Sequence, residues 1–322
     1  MKISSLTLPV PYHPSMDVQD STKIQCYQDC PRMYFYEYVL GWRSARPNNH
    51  LHFGKAVHLA MEHIILNGYR TESVIEALDI FNNEYRQAFP ESTDTIFSPK
   101  TPGRFFDMLI LYLRKYSNDL TRYKVYKTEF GGTVSLGGDY SIAFKMDTVL
   151  QDLETGLFCS LEHKTKGGNY IDANYVYEHM MNIQCGTYTH VLNCLFPPQE
   201  VSGIIINCMC FKKTKVPEYI LQRFPINLSN AQMYVWMENV KNWLDLIQSD
   251  FERLSVSHSG QDILKAFPLN GRNCCNWGRT CTYLDLCTSY TNPLQHIDRI
   301  PADMAIDFWN PLEEELREVL SL

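Results

Sequence analysis

The sequence predicts an α/β or α+β protein in which a mixed central sheet, flanked by helices, follows a helical insertion. Three observations carry this expectation. Apolar residues recur at helical spacing through the first third of the chain; from Tyr123 the period shortens and apolar runs take over; helical spacing then returns over 174–194 and 229–254, around further strands.

Pro9 to Pro14 reads as an irregular arm, and Asp20 or Ser21 as the N-cap of a helix that includes Cys26 to Cys30. The aromatic run after Pro31 predicts a buried helix ending at Gly41. Further helices are expected over 53–66, 71–88 and 102–118, the first with Val57, Met61, Ile64 and Ile65 as its apolar stripe and with His58 and Glu62 one turn apart. Strands follow over 123–130, 133–150, 157–165, 201–211 and 219–224, the last two forming a hairpin. The stripe of Met233, Trp236, Met237, Val240, Trp243, Leu244, Ile247 and Phe251 marks a long helix over 229–254, and an acidic amphipathic helix is expected over 312–320. We expect an arm (1–19), one domain (20–290, with a helical part to 120, a catalytic core to 255 and a cysteine-rich loop to 290) and a tail (291–322).

Chemistry concentrates in two apolar runs, Ile142 to Leu150 and Leu157 to Thr165, joined by the turn-forming Asp152-Leu153-Glu154-Thr155-Gly156. A hairpin centred near Glu154 sets Asp147 opposite Leu161 and beside Glu162; Glu162 and Lys164 share a face while His163 points away. Charges inside apolar strands cost several kcal/mol each unless paired or bound to metal. Two close carboxylates suit Mg²⁺ or Mn²⁺, and a lysine beside them can assist an attacking water or offset charge in a phosphoryl transition state. The bland alternative is a surface hairpin with solvated charges.

The net charge of −7 excludes a uniformly basic nucleic-acid coat but leaves room for a local basic groove. No apolar stretch approaches the ~18 residues needed to span a bilayer, and we expect a cytoplasmic protein. Its eleven cysteines are then thiols or metal ligands. Cys159, Cys185, Cys194, Cys208 and Cys210 lie in apolar segments and read as buried small hydrophobes, whereas Cys274, Cys275, Cys281 and Cys287 fall within fourteen residues. Three of these thiolates need a fourth, with Cys30 the best candidate and Cys26 in reserve; spacing alone admits either Zn²⁺ or a [4Fe-4S] cluster.

The helix with Tyr27 and Cys30-Pro31-Arg32, the run Gly54-Lys55-Ala56-Val57-His58, Asp147, Glu162-His163-Lys164 and Gln184-Cys185-Gly186-Thr187-Tyr188 occur in the order of the RecB-like branch of the PD-(D/E)XK nuclease superfamily, which the chain resembles from about residue 20 to 290. Its tail, Cys281 to Cys287, is similar to the closing Cys-x5-Cys of the branch's iron-sulfur members, which include the CRISPR-associated exonuclease family and AddB-type subunits; small phage-encoded nucleases of this type have a similar length.

The resemblance implies a restriction-endonuclease-like core with a C-terminal iron-sulfur loop. It also implies a divalent-metal-dependent deoxyribonuclease acting on DNA that is single-stranded or has a free end, in repair, recombination or phage DNA processing. His58, Asp147 and Glu162 would hold Mg²⁺ or Mn²⁺, with Lys164 as catalytic lysine. Gln184 and Tyr188 would line the DNA path, and Cys30, Cys274, Cys281 and Cys287 would hold a [4Fe-4S] cluster, with Cys275 the alternative to Cys274. Arg32, Lys166, Lys212, Lys213 and Lys215 are candidate phosphate contacts, and single strands could stack on some of the twenty tyrosines. Two other readings are a recombination scaffold that binds DNA with an idle nuclease site, and a zinc-stabilised interaction protein.

Overall fold

The computed structural model describes residues 2–257, 265–276, 279–290, 292–312 and 318–320. In chain order its main elements are α1 (Ser21–Asp29), α2 (Asn49–Asn67), α3 (Thr71–Arg86), α4 (Pro102–Lys115), β1 (Tyr123–Gly137), β2 (Tyr140–Asp152), β3 (Phe158–Gly167), α5 (Ala173–Met180), α6 (Ile183–Leu195), β4 (Val201–Phe211), β5 (Tyr219–Ile226), α7 (Asn230–Ser255), α8 (Leu284–Ser289) and β6 (Glu318–Leu320). They fall into two compact units, one of residues 47–130 and 145–229, the other of 1–46, 131–144 and 230–322; β1 and β2 run through both.

The first unit contains β3, β4, β5 and the adjoining stretches of β1 and β2, which neighbour one another in the order β1-β2-β3-β4-β5. β3 runs antiparallel to β2 and parallel to β4, and β4 antiparallel to β5. The parallel pair is joined through α5 and α6, the crossover that parallel strands require. α2 begins at Asn48, whose side chain accepts the His50 N–H at 2.9 Å, and stops at Gly68, with φ +81°. Between these caps Phe53, Ala56, Val57, Ala60, Met61 and Ile64 form one buried stripe. The stripe packs with Phe81 and Tyr85 of α3, Phe105 and Tyr112 of α4, and Met209 and Phe211 of β4. Burying each large side chain contributes roughly 1.5–3 kcal/mol. α6 packs against β3 and β4, so helices flank the sheet.

The sheet departs from expectation at one turn. Between Tyr123 and Leu150 the sequence offers two Gly-Gly pairs, and the chain reverses at the second, where Gly137 and Gly138 take φ +89° and +60°. Gly131 and Gly132 stay inside β1.

In the second unit the Asp20 carboxylate caps α1 by accepting the Lys23 N–H at 2.8 Å. The aromatic run is buried as expected, but Phe35–Val39 widens into a π-helical turn before Gly41. Tyr34 stacks on Phe267, which meets Phe251 of α7 edge-on. Of the acidic C-terminal helix expected over 312–320, residues 313–317 lie outside the described residues, and Glu318–Leu320 is a strand paired parallel with Gly132–Val134. Parts of the expected cysteine loop, 258–264 and 277–278, also lie outside them. No helix among the described residues is long and apolar enough to cross a membrane.

Candidate active site

The β2–β3 hairpin pairs Thr148 with Leu161, one residue from the expected register, which brings Asp147 level with Glu162. The turn sets this offset. Asp152 N–H donates to the Leu157 carbonyl at 2.9 Å, and Gly156 closes the reversal at φ +76°. Beyond Thr148 and Leu161 side chains take over from the regular ladder. Asp147 N–H donates to Glu162 Oε1 at 3.3 Å, and His163 N–H donates to Asp147 Oδ2 at 2.7 Å. Two carboxylates therefore satisfy backbone donors where the strands part, which holds both in place.

α2 brings His58 Nδ1 to 3.1 Å from Asp147 Oδ1. Glu129 of β1 joins them, a residue the sequence reading missed: ligand atoms of His58, Glu129 and Asp147 all lie within 4.8 Å of one another. Glu129 has a left-handed backbone (φ +43°), a conformation costing a non-glycine residue about 1–2 kcal/mol, and pairs with Lys145 at 2.9 Å. An acid just before Gly131-Gly132 is its only local signal. Glu162 is tied to the group through Asp147 rather than included in it.

Glu162 is 1% exposed. Its Oε1 accepts from Ser160 Oγ at 2.5 Å, while Oε2 has no protein partner. Burial, reinforced by Asp147, pushes its carboxyl up to about 8. Burial acts in the same sense on Asp147 but is outweighed by the charge and hydrogen bond of His58, with Lys164 and His163, so its carboxyl stays well below the usual range. For His58 burial is likewise outweighed, by Asp147, and its pKa rises. The His163 ring, on the other face of β3, is pushed down to about 3 by burial. Its Nδ1 meets Asn207 Nδ2 at 2.9 Å, and Asn207 accepts from Arg223 at 3.1 Å.

Three carboxylates, one of them with an orphaned buried oxygen, and an imidazole form a hard-ligand set that fits Mg²⁺ or Mn²⁺. Beside it Lys164 Nζ donates to Gln184 Oε1 at 2.8 Å, and Gln184 Nε2 donates to the Tyr188 hydroxyl at 3.0 Å. The Tyr188 hydroxyl itself donates to the Lys145 carbonyl. Tyr188 is 4% exposed and props Gln184, which holds Lys164. Lys166 lies one turn of the strand further, its ammonium 4.3 Å from the Tyr175 ring centre.

Arg32 is not part of this group. It is buried in the second unit, with Nε donating to the Phe267 carbonyl at 2.9 Å. The four cysteines Cys30, Cys274, Cys281 and Cys287 line one cavity of about 600 Å³ in that unit, with Asp29, Met33, Asn270 and Tyr283 among their neighbours. Cys275 is exposed and Cys26 is buried, and neither belongs to the lining.

A crystal structure of a candidate exonuclease from Eubacterium rectale is 10% identical, over 76% of this chain and 84% of that chain, with a TM-score of 0.41. No curated protein matches the sequence. The model of the PD-(D/E)XK nuclease superfamily matches residues 21–288, most of the chain and every residue of the carboxylate site, and the chain belongs to that superfamily.

Proposed function

We propose that the chain is a divalent-metal-dependent deoxyribonuclease of the RecB-like iron-sulfur branch, hydrolysing phosphodiesters at DNA ends. The observation that carries this reading is the orphaned Glu162 Oε2, buried beside Asp147 and His58 with Lys164 held at its side. A folded chain keeps an unpaired buried carboxylate oxygen at a cost of several kcal/mol, which a cation offsets. His58, Asp147 and Glu162 hold the ion, and Glu129 completes the set. When bound, the ion supplies Lewis-acid polarisation of a phosphate and charge neutralisation. Asp147 orients the centre, since both of its oxygens are fixed by His58 and by His163 N–H. Lys164 brings a positive charge to the phosphoryl group as negative charge develops, and Gln184 fixes the direction of that ammonium.

The order of the motifs supports the RecB-like branch and action at ends. Four thiols around one cavity support a [4Fe-4S] cluster on Cys30, Cys274, Cys281 and Cys287. The test uses anaerobically purified full-length protein with end-labelled linear and closed-circular single-stranded DNA, in Mg²⁺, in Mn²⁺ and in chelator, beside Asp147→Ala. Metal-dependent loss of the linear substrate alone, abolished in the variant, is the expected result. Cleavage of circles replaces the end-directed reading with an endonuclease. No cleavage of any substrate, with DNA binding retained, points instead to the scaffold.

A further inference from the structure

The chain leaves the candidate active site at Lys164 and returns to it at Gln184, and the two side chains are hydrogen-bonded at 2.8 Å. The segment 165–183 between them is therefore anchored on the site at both ends. Its helix α5 packs inward through Tyr175 and His179, one turn apart, whose rings meet Phe224 of β5 edge-on, while the Tyr175 hydroxyl contacts Cys208 Sγ at 3.7 Å. Other large side chains of the segment turn outward. Tyr170, Tyr177 and Met181 are 65%, 61% and 84% exposed. Packing of α5 does not account for them, because Tyr175 and His179 already make its contact with the sheet.

The register of the sheet brings positive charge to the same place. β3 ends level with β4, with Lys166 paired to Cys210 and Gly167 to Phe211, and Gly168 N–H donates to the Phe211 carbonyl at 3.2 Å. The β4–β5 turn begins there and carries Lys212, Lys213 and Lys215. Arg104 of α4 donates to the carbonyls of Lys212 and Thr214, adding a guanidinium at the base of the turn. Nearby acids are partly engaged: Asp172 caps α5 through Tyr175 N–H, and Glu218 pairs with Lys212 at 2.6 Å. Counted together, Lys166, Lys212, Lys213, Lys215 and Arg104 face Asp107, Asp172, Glu178 and Glu218, and the positive excess lies on the β4–β5 turn itself, where three lysines meet Glu218 alone, on a chain whose net charge is −7. A basic turn beside outward aromatics, on an acidic protein, matches a partner that is negatively charged and offers flat apolar faces. A single nucleic-acid strand has both properties, whereas in a duplex the base faces are stacked away.

We propose that segment 165–183 and the β4–β5 turn form a single-strand track leading to the carboxylate site, in which Tyr170 and Tyr177 stack on bases while Lys213 and Lys215 contact phosphates. This rests on the nuclease reading above and adds to it that the strand entering the site is unpaired DNA. Each stacked base of such a track loses on the order of 10-fold or more in affinity when its aromatic partner is removed. Two lysine contacts to a single strand steepen the salt dependence of binding, as a log–log slope, by about 1.4.

The experiment is fluorescence anisotropy of a labelled oligothymidylate of ~20 nucleotides, and of a blunt duplex of that length, with full-length protein in chelator so that cleavage does not interfere. Tyr170→Ala/Tyr177→Ala is expected to weaken single-strand binding about 10- to 100-fold with duplex binding unchanged, and the Tyr→Trp pair to retain it. Lys213→Glu/Lys215→Glu is expected to weaken binding and flatten its salt slope. All four positions are exposed, so circular dichroism and thermal midpoints should match wild type. Single-strand affinity within about twofold of wild type in the double alanine variant overturns the track, and so does an equal loss on duplex. Wild-type protein that binds the oligonucleotide through these tyrosines but never cleaves it in Mg²⁺ or Mn²⁺ leaves the track standing and removes the nuclease. Wild-type protein that cleaves while the tyrosine variant binds normally does the reverse.

Discussion

The carboxylate site and the cysteine-lined cavity each draw ligand atoms from segments far apart in the chain, but they hold those atoms in different ways. At the first, Asp147 has both oxygens fixed by protein donors and Glu162 has one, so the arrangement is stiff before any ion arrives. Around the second, backbone bonds do the framing: Cys281 N–H donates to the Cys274 carbonyl at 2.8 Å and Cys287 N–H to the Tyr283 carbonyl at 3.0 Å. The sulfurs themselves have weak partners, such as the Asn270 N–H on Cys30 Sγ at 3.4 Å. Burial pushes the Cys287 thiol up to about 11 and also raises that of Cys281. One site is stiff by itself; the other is a backbone frame around loosely held sulfurs, which the cluster proposed above would fix. Losing the ligand should cost activity at the first and stability at the second.

The largest effect is expected where preorganisation is strongest. Asp147→Ala should lower cleavage by about 10³-fold or more, because it removes a ligand and releases both His58 and the His163 N–H. Glu162→Gln should be similarly inactive, yet the metal-free protein should unfold at no lower denaturant than wild type, since a neutral amide relieves a buried carboxylate whose Oε2 is unpaired. Denaturation midpoints measured in chelator test the pair. A Glu162→Gln midpoint well below wild type would show that the site is held by its charge rather than strained by it.

The cavity should answer in the opposite sense. Cys274→Ser is expected to lose most of the bound iron and to lower the thermal midpoint, with activity falling only as the fold loosens, whereas Cys275→Ser should leave both unchanged. Iron and acid-labile sulfide analysis of the two variants decides the matter. Stoichiometric zinc in wild type, or iron loss in Cys275→Ser alone, would break the assignment.

A smaller effect belongs to the residues that aim rather than bind. Gln184→Ala frees the Lys164 ammonium and should lower kcat by about 10-fold with KM little changed, while Gln184→Glu should restore the contact to Lys164 and part of the rate. A KM effect without a kcat effect would place Gln184 on substrate instead.

These outcomes also bear on what a linear sequence can reveal. The hairpin chemistry was legible because Asp147, Glu162 and Lys164 lie within eighteen residues on paired strands, where a period of two orders their side chains. α2 was legible from its stripe, and β4–β5 from apolar runs flanking Lys212 to Pro217. The register slipped by one residue because hairpin pairing depends on turn geometry, here the φ of Gly156, which composition does not encode. The reversal at Gly137 rather than Gly131 is a choice between identical dipeptides. Glu129 was invisible because it matters only through α2 and β2, and Cys274 differs from Cys275 only in which side of the loop its thiol takes. That Tyr188 is the buried member of the Gln184–Tyr188 pair is not legible either, because a helical i, i+4 pair says nothing about which of its members is buried.

An effect on stability alone, without one on activity, is expected from a buried charge near the site that belongs to neither ligand set. Lys100 is 5% exposed; its ammonium donates to Thr165 Oγ1 at 3.1 Å and to the Thr165 carbonyl at 3.2 Å, with no carboxylate among these partners. Burial pushes its pKa down to about 8 from an ordinary 10.5. The folded state thus holds this proton less tightly than the unfolded chain. Between about pH 8 and pH 10.5 the unfolded chain carries more of it, and stability from this group rises with pH across that window and is flat below it. Other groups also titrate there, so the measurement is a difference: urea midpoints of wild type and Lys100→Met at pH 7 and pH 10. Wild type should gain on the variant by roughly 1–3 kcal/mol between the two conditions. A constant difference would mean that the two Thr165 contacts fully compensate the buried charge, and that Lys100 braces the end of β3 without storing any electrostatic cost.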